Sequence, residues 1–595
     1  MQNGNRKLKS ASGGLAVLLI GLLCLICYLN TLPNEFVFDD EFQIVVNEML
    51  RGGRELIGIL GIVGRLQYRP VRIISYNLDY QFSGLNPLGY HISNIAYHFL
   101  AAVFAYLVAH LLLKDRRAAL LTGLLFAAHP AQSEAVAYLS GRKDVLAGCF
   151  FLIALYFFLR EREGRGISYF FGSFGAYLLA IFTKEIAVTL PVIFLAYDLG
   201  RHIPAGHRRK RGLFRGIIFS LGEIFSRHRY QYLLLVSTAT VFSYYTIFVS
   251  KVSGKLTPPA EPGAPATAPS LDIWWGENLF SHLQTSFRVV AEYLKIMIWP
   301  VRLIADYSFD AFPLSGPGIE LRALLALAIV LAVALGAILL LSRHQLYAFG
   351  GIWLLVTLLP VAQIVPHHEL LAERNLYLPC FGVCLLFSLL VRKGLGSRAL
   401  GVLLLALMVF FTLRITARNT DWKNNLALWI KTTSQVPDCA RAQFGLGLAY
   451  QDLGLTAEAI AGYRRAVEIV PGDPKFHNNL GSAYEEAGQL EEAIREYWRA
   501  VELSPGFFKA YNNLGLVYFK MGLFPEAVAA ISKAEGLRPD SAKVHTNLGV
   551  VYLKGLKDDR KALEHFQEAL RLAPDHPQAR LIRKRIEVLK SRIAE

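Results

Sequence analysis

Eleven apolar stretches separated by short polar loops constrain this chain more than any other feature, because a backbone surrounded by lipid must satisfy its own hydrogen bonds. They lie near residues 13–29, 91–113, 118–128, 145–159, 167–182, 186–199, 231–250, 320–341, 346–366, 376–391 and 399–416. Each reads as a helix. Several fall short of the roughly 20 residues that a straight spanning helix needs, so their ends have to be completed by residues buried against neighbouring helices. The 595 residues are 54% hydrophobic and 18% charged, too apolar for a soluble chain, where about 25% charge is usual. Sixty-two Lys and Arg against 46 Asp and Glu leave a net charge of +16. Nucleic acid is excluded as the partner, since no basic stripe interleaves with exposed aromatics. Five of the six cysteines, Cys24, Cys27, Cys149, Cys380 and Cys384, fall in apolar segments and form no disulfide framework.

Orientation follows from the basic residues of the short loops. Arg6, Lys7 and Lys9 precede the first stretch, which reads as a spanning helix because no small-x-small cleavage site follows it. With that end inside, the inside loops hold Lys114, Arg116 and Arg117, then Arg160, Arg162 and Arg165, the run from Arg201 to Arg229, Arg343, and finally Arg392, Lys393 and Arg398. The opposite loops carry Asp39 and Asp40, residues 129–144, Lys184 with Glu185, and residues 367–374. Phe280 to Pro300 is long enough to cross, but Arg288, Glu292 and Lys295 interrupt it at helical spacing. It is read as an interfacial helix. The expectation is a multi-pass integral membrane protein of about eleven spans. Compact loops and the absence of a retention signal favour a bacterial inner membrane.

Beyond Ala417 the hydropathy falls and a period appears. Leu446-Gly447, Leu480-Gly481, Leu514-Gly515 and Leu548-Gly549 recur at a constant spacing, each followed three residues on by Tyr450, Tyr484, Tyr518 or Tyr552. Ala459, Tyr463, Ala466 and Pro471 return as Ala493, Tyr497, Ala500 and Pro505; the third unit departs at Ile531, and the fourth has one extra residue, with its alanines at Ala562 and Ala569. This resembles the tetratricopeptide repeat, in which small residues let two helices pack closely and proline ends the second. The fold class is therefore all-α: a membrane helix bundle over 1–417, a linker over 418–440, four repeats over 441–577 and a charged capping helix over 578–595. Asn478, Asn479, Asn512, Asn513 and Asn547 fall on first helices and are candidate contacts for an extended acceptor peptide.

Charged residues at membrane edges are functional candidates by default. Asp39 and Asp40 follow Phe36-Val37-Phe38 directly after the first span, a setting suited to a general base or a cation site. His129 to Glu134 and Gly141 to Asp144 lie at a break between apolar runs, and irregular backbone at that depth is tolerated only where it lines a cavity. Lys184-Glu185 and Glu373-Arg374 close two further edges on the same side. No glycine-rich phosphate loop follows a strand, so a sugar donor would be lipid-bound rather than a soluble nucleotide.

Asn34 to Asn47, Arg69-Pro70, Gly84 to His98, His129 to Asp144, Thr183-Lys184-Glu185 and Glu373 to Pro379, followed by the repeats, resemble the transmembrane and tetratricopeptide-repeat O-mannosyltransferases, members of the broader type C glycosyltransferases. The resemblance runs in the same order over nearly the whole chain. It implies a polyprenyl-phosphate sugar donor, a mannose-like sugar, a protein hydroxyl acceptor and a catalytic aspartate in the first outer loop, matched here by Asp39-Asp40. Gln132 and Lys143-Asp144 depart from it, standing where a histidine and a small residue followed by glutamate are expected. With Glu134 as a further catalytic candidate, Arg142, Lys143, Lys184 and Arg374 are candidates for holding the donor phosphate. His91, His129, Asp144, Glu185 and Glu373 are expected to complete the cavity. A single displacement at the anomeric carbon would invert it. No cofactor and no metal ligand set is expected, with a divalent metal left open. A non-catalytic membrane-anchored repeat scaffold and a transporter of a lipid-linked or anionic substrate remain as alternatives.

Overall fold

The computed structural model describes residues 2–47, 50, 69–203, 213–256, 278–307, 311–341, 343–364, 369–574 and 578–594. Among these residues no strand occurs, and the chain is a membrane-type helix bundle followed by an α-solenoid of tetratricopeptide repeats. The described residues 2–254 and 278–431 form one compact unit and those from 432 onward another.

Each apolar stretch of the first unit forms a helix: Gln2–Tyr28, Pro87–Leu113, Arg116–Ala127, Arg142–Arg162, Ile167–Ile181, Leu190–His202, Leu213–Leu256 with a break at His228, Leu321–Leu340, Gln345–Leu358, Pro379–Val391 and Arg398–Asn419. Among the described residues four segments are long and apolar enough to cross a bilayer alone, Gly13–Thr31, Pro87–Leu113, Leu321–Leu340 and Arg398–Trp422. The others are shorter, more charged or wrapped by neighbours. Phe126, Phe151, Leu152, Tyr177, Trp353 and Phe381 lie among the buried side chains where these helices meet. The helix over the interrupted segment, Leu279–Ile298, starts at an Asn278 capping box and buries a polar face of Ser281, His282, Gln284, Thr285 and Ser286. Arg288 pairs with Glu320 and Lys295 with Glu292, so its charges sit on partners rather than in a continuous apolar surface.

The stretch 418–440, expected as a linker, is mostly helical, with Thr420–Trp422 as a short turn and Asn425–Gln435 as a helix. Its aromatic and aliphatic residues give the reason: Trp422, Leu428 and Trp429 are buried, and ordering such a segment removes large apolar surfaces from water.

In the second unit the repeats are helix pairs, Ala440–Asp452 with Thr456–Ile469, Pro474–Glu486 with Leu490–Leu503, Phe508–Lys520 with Phe524–Leu537, and Ala542–Val551 with Asp559–Leu572, closed by Ala579–Ala594. The glycine of each Leu-Gly pair marks the closest approach of the two helices. A Cβ at Gly447 would lie 2.6 Å from the Tyr463 ring and one at Gly481 2.9 Å from the Tyr497 ring. In the third repeat Ile531 fills the place of that tyrosine against Gly515. The extra residue of the fourth repeat is absorbed by a wide helical turn, Tyr552–Leu556.

Candidate functional site

Loops far apart in sequence converge on the acidic turn after the first helix. Asn34 donates to the carbonyl of Asn419, Glu35 N–H to the carbonyl of Lys423, and Phe38 N–H to Asn425 Oδ1 at 2.9 Å. Phe38 has φ of 54°, a left-handed conformation that costs a non-glycine residue of order 1–3 kcal/mol. Its ring is held against Trp429 and Tyr138, and Tyr138 stacks on Trp422 at 4.9 Å.

The two carboxylates of this turn have opposite surroundings. Asp40 is fully buried, its Oδ1 accepting from the backbone N–H and the hydroxyl of Ser140 at 2.7 and 2.6 Å, its Oδ2 from Val37 N–H at 3.1 Å. Burial pushes its pKa up to about 7 against the pull of those donors. Asp39 is half-buried, and its carboxylate has no hydrogen-bond or ion-pair partner among the described residues.

The expected cations divide in the same way. Arg142 is wholly buried and spends its guanidinium on Asp79 at 2.5 Å, Asn94 Oδ1 at 2.6 Å and the Tyr90 carbonyl at 2.8 Å, with the Tyr76 ring 4.7 Å from its centre. Arg374 is held by Glu134 and Glu369. Glu134 also accepts the Arg374 backbone N–H at 3.0 Å, so it serves the ion pair. Lys184 donates to Asp144 and to Asn375 Oδ1, the latter at 2.9 Å. Glu373 binds Arg418 at 3.2 Å and accepts from Tyr307. His129 is buried, donating from Nε2 to the Met297 carbonyl at 2.8 Å, and His91 is buried beside Arg142.

Two cations remain. Lys143, half-buried at the start of its helix and ahead of the apolar run, has no ion pair or hydrogen bond among the described residues. Burial, with Arg69 and Arg374 adding repulsion, lowers its pKa to about 7. Arg72 is buried with its Nε unsatisfied and has no carboxylate partner among the described residues. Arg69, one turn before it, binds both oxygens of Glu185 at 3.0 Å. Burial works against ionisation of Glu185, but Arg69, Lys184 and Lys143 together hold it below the usual carboxylate range. Arg72 is close enough to Arg69, Glu185 and Tyr138 to be influenced by them, as Lys143 is by Arg69 and Arg374, and Tyr138 by Asp39 and Asp40.

Asp40, Glu134, Lys143, Asp144, Lys184, Glu185, Glu373 and Arg374 are thus brought into one connected neighbourhood, with Asp39 at its edge. Arg72 and Ser140 are the members not singled out from sequence. Arg69 and Arg72 flank the N-terminus of Pro70–Ser83, where the helix dipole disfavours cations; two arginines at a helix start are a readable sign of an anion nearby.

In the repeats, four of the five asparagines form a ladder from helix to helix. Asn513 donates to Asn478 at 3.2 Å, Asn512 to Asn513 at 3.4 Å and Asn547 to Asn512 at 2.8 Å, whereas Asn479 bonds back to the Lys475 carbonyl.

Residues 82–226 match the family described as dolichyl-phosphate-mannose-protein mannosyltransferase, and residues 447–522 and 507–575 match tetratricopeptide repeat families. The human protein O-mannosyl-transferase TMTC1 is 27% identical over 535 residues, 79% of this chain and 56% of that protein. The chain resembles these O-mannosyltransferases in both its parts. A Caenorhabditis elegans protein O-mannosyl-transferase is 28% identical, covering 78% of this chain and 64% of its own length, and Drosophila melanogaster Tmtc1 26% identical, covering 74% and 60%. The chain therefore spans about three fifths of the length of the curated relatives it matches.

Proposed function

We propose that this chain is a membrane glycosyltransferase that moves a mannose-like sugar from a polyprenyl-phosphate carrier to a hydroxyl of a protein acceptor outside the cytosol. The observation that carries the reading is a half-buried carboxylate, Asp39, on the turn after the first helix, together with two cations of the same unit, Lys143 and Arg72, at the starts of their helices, none of the three having an ion-pair partner among the described residues. The resemblance to named O-mannosyltransferases supports the sugar and the acceptor class.

Asp39 takes the proton of the acceptor hydroxyl, whose oxygen attacks the anomeric carbon as the bond from that carbon to the phosphate oxygen breaks. One displacement inverts the anomeric centre and releases the lipid phosphate. Negative charge grows on the leaving phosphate, so Lys143 and Arg72, with Arg69 beside them, bind the transition state more strongly than the donor. Arg142, Lys184 and Arg374 hold the loops in place through their carboxylates. The repeats present the acceptor, the asparagine ladder offering amides to an extended backbone. Membranes containing the protein would be fed a panel of polyprenyl-phosphate sugars with a hydroxyl-bearing peptide. Transfer of mannose that disappears in Asp39→Asn is expected; transfer unaffected by that change, or none from any donor, would refute the reading.

A further inference from the structure

The end of the repeat array contains a cluster that neither the transferase reading nor the repeat pattern explains. Glu535 lies on Phe524–Leu537, His545 on Ala542–Val551 and His565 on Asp559–Leu572, three successive helices. His545 Nδ1 is 3.2 Å from His565 Nδ1, and these two atoms are 3.3 and 3.5 Å from Glu535 Oε1. His545 donates from Nε2 to the Pro539 carbonyl at 2.9 Å, which fixes its tautomer and leaves the Nδ1 lone pair facing the other two groups. A backbone carbonyl on the far nitrogen is the usual support of a metal-bound histidine.

Two periods earlier the same position is His477, which likewise donates to a proline carbonyl, that of Pro471, but whose Nδ1 meets Glu496 at 2.7 Å. That arrangement is a self-contained pair. In the fourth repeat the position of Glu496 is taken by His565, and the carboxylate comes instead from the preceding repeat. A histidine pair facing one carboxylate is poor as an ion pair and well suited to a cation.

We propose that Glu535, His545 and His565 bind one zinc-class divalent ion, pinning the third repeat to both helices of the fourth. Zinc takes imidazole and carboxylate ligands at about 2.0–2.2 Å, which sets the edges of a tetrahedron at about 3.3–3.6 Å. The separations of 3.2, 3.3 and 3.5 Å lie within about 0.1 Å of that range. The oxygen-rich, higher coordination of calcium or magnesium does not fit a set with two nitrogens. On binding, His565 carries its proton on Nε2 so that both Nδ1 atoms donate lone pairs. Glu535 and His565 remain part-exposed, leaving the fourth position for water or an acceptor side chain. The ligand positions follow no familiar metal-motif spacing, because the first comes from a neighbouring repeat.

The test is titration of the full-length protein in detergent with Co²⁺, whose four-coordinate sites absorb strongly in the visible where the hydrated ion does not. One equivalent should develop that band, and Zn²⁺ should bleach it. His565→Gln and Glu535→Gln should each abolish it while His477→Gln, at the matching place in the second repeat, leaves it intact. Circular dichroism without metal should be alike in all four proteins, and Zn²⁺ should raise the melting temperature only of the wild type and His477→Gln. Absence of stoichiometric binding, or a band that survives His565→Gln, would overturn the site and leave the cluster a metal-free hydrogen-bonded group.

Discussion

Replacing Asp39 by Asn keeps the shape of the side chain and removes its charge, and a loss of about 10²-fold or more in turnover is expected if it is the base. Asp40→Asn acts through a different route. An amide has one acceptor oxygen and would turn its NH2 toward either Ser140 or Val37, leaving a buried donor unmet at about 1–3 kcal/mol. Its main effect should be on folded yield, read by fluorescence-detected gel filtration, with activity per folded molecule less affected than in Asp39→Asn. The neighbours Arg142 and Lys143 should separate likewise. Arg142→Met strands buried Asp79 and should cost about 3–5 kcal/mol in stability, whereas Lys143→Met should fold and lose donor affinity. Because Lys143 is held near a pKa of 7, its charge is present below that pH and lost above it. Donor binding should therefore weaken as pH rises through 7, and Lys143→Arg, charged throughout, should flatten the profile. From sequence, Asp39 and Asp40 were equivalent, as were Arg142 and Lys143. What distinguishes them, beyond the neighbouring Val37, is contact with Ser140, Asp79 and Asn94 far along the chain, and nothing local encodes those pairings.

Elements whose contacts repeat were legible, and elements held by distant contacts were not. The period of 34 announces the helix pairs because the glycine recurs in each and faces a large side chain of the partner helix, Tyr463, Tyr497, Ile531 or Phe566. The turn inside each repeat shows where regularity breaks: Gly454, Gly488 and Gly522 have φ of 73° to 79°, and Lys557 takes the corresponding place in the fourth with φ of 55°. A left-handed conformation costs a non-glycine residue roughly 1–2 kcal/mol, partly offset because glycine loses more freedom on folding. Lys557→Gly should stabilise the array by about 0.5–1 kcal/mol, seen as a higher midpoint in urea; a lower midpoint would mean that the lysine side chain contributes there. In the membrane part, Gly141 is the counterpart. A Cβ there would come within 2.9 Å of the backbone of Glu134 and Ala135. Gly141→Ala should shift Ser140 and weaken its grip on Asp40, lowering both yield and turnover. The loop carrying Glu134 is tied to Arg374 across 240 residues, a separation at which sequence spacing says nothing about proximity.

At the scale of the whole chain, the loop charges read from sequence imply that the acidic turn and the repeats share one side of the membrane, and reporters fused after Asn47 and after Glu595 should both sit outside the cytosol. If they do, a repeat array can hold a protein acceptor near the enzyme, and its contribution is effective concentration: a tethered hydroxyl meets the base far more often than a free one. On the proposed reading the lipid donor, in contrast, would reach the cations of the first unit through the bilayer. Removing residues from Asp438 onward should therefore weaken transfer to a protein acceptor while leaving transfer to a short soluble peptide, and slow hydrolysis of the donor by water, nearly unchanged. The division of the described chain at residue 431 supports a truncation from Asp438, just past the helix Asn425–Gln435, since the first unit keeps its own buried core. Both transfers would be measured in intact and truncated protein, each normalised to folded material. Equal losses for the two acceptors would mean that the repeats maintain the membrane part and do not select the acceptor. A loss confined to the protein acceptor, restored in part by raising its concentration, is the signature of tethering.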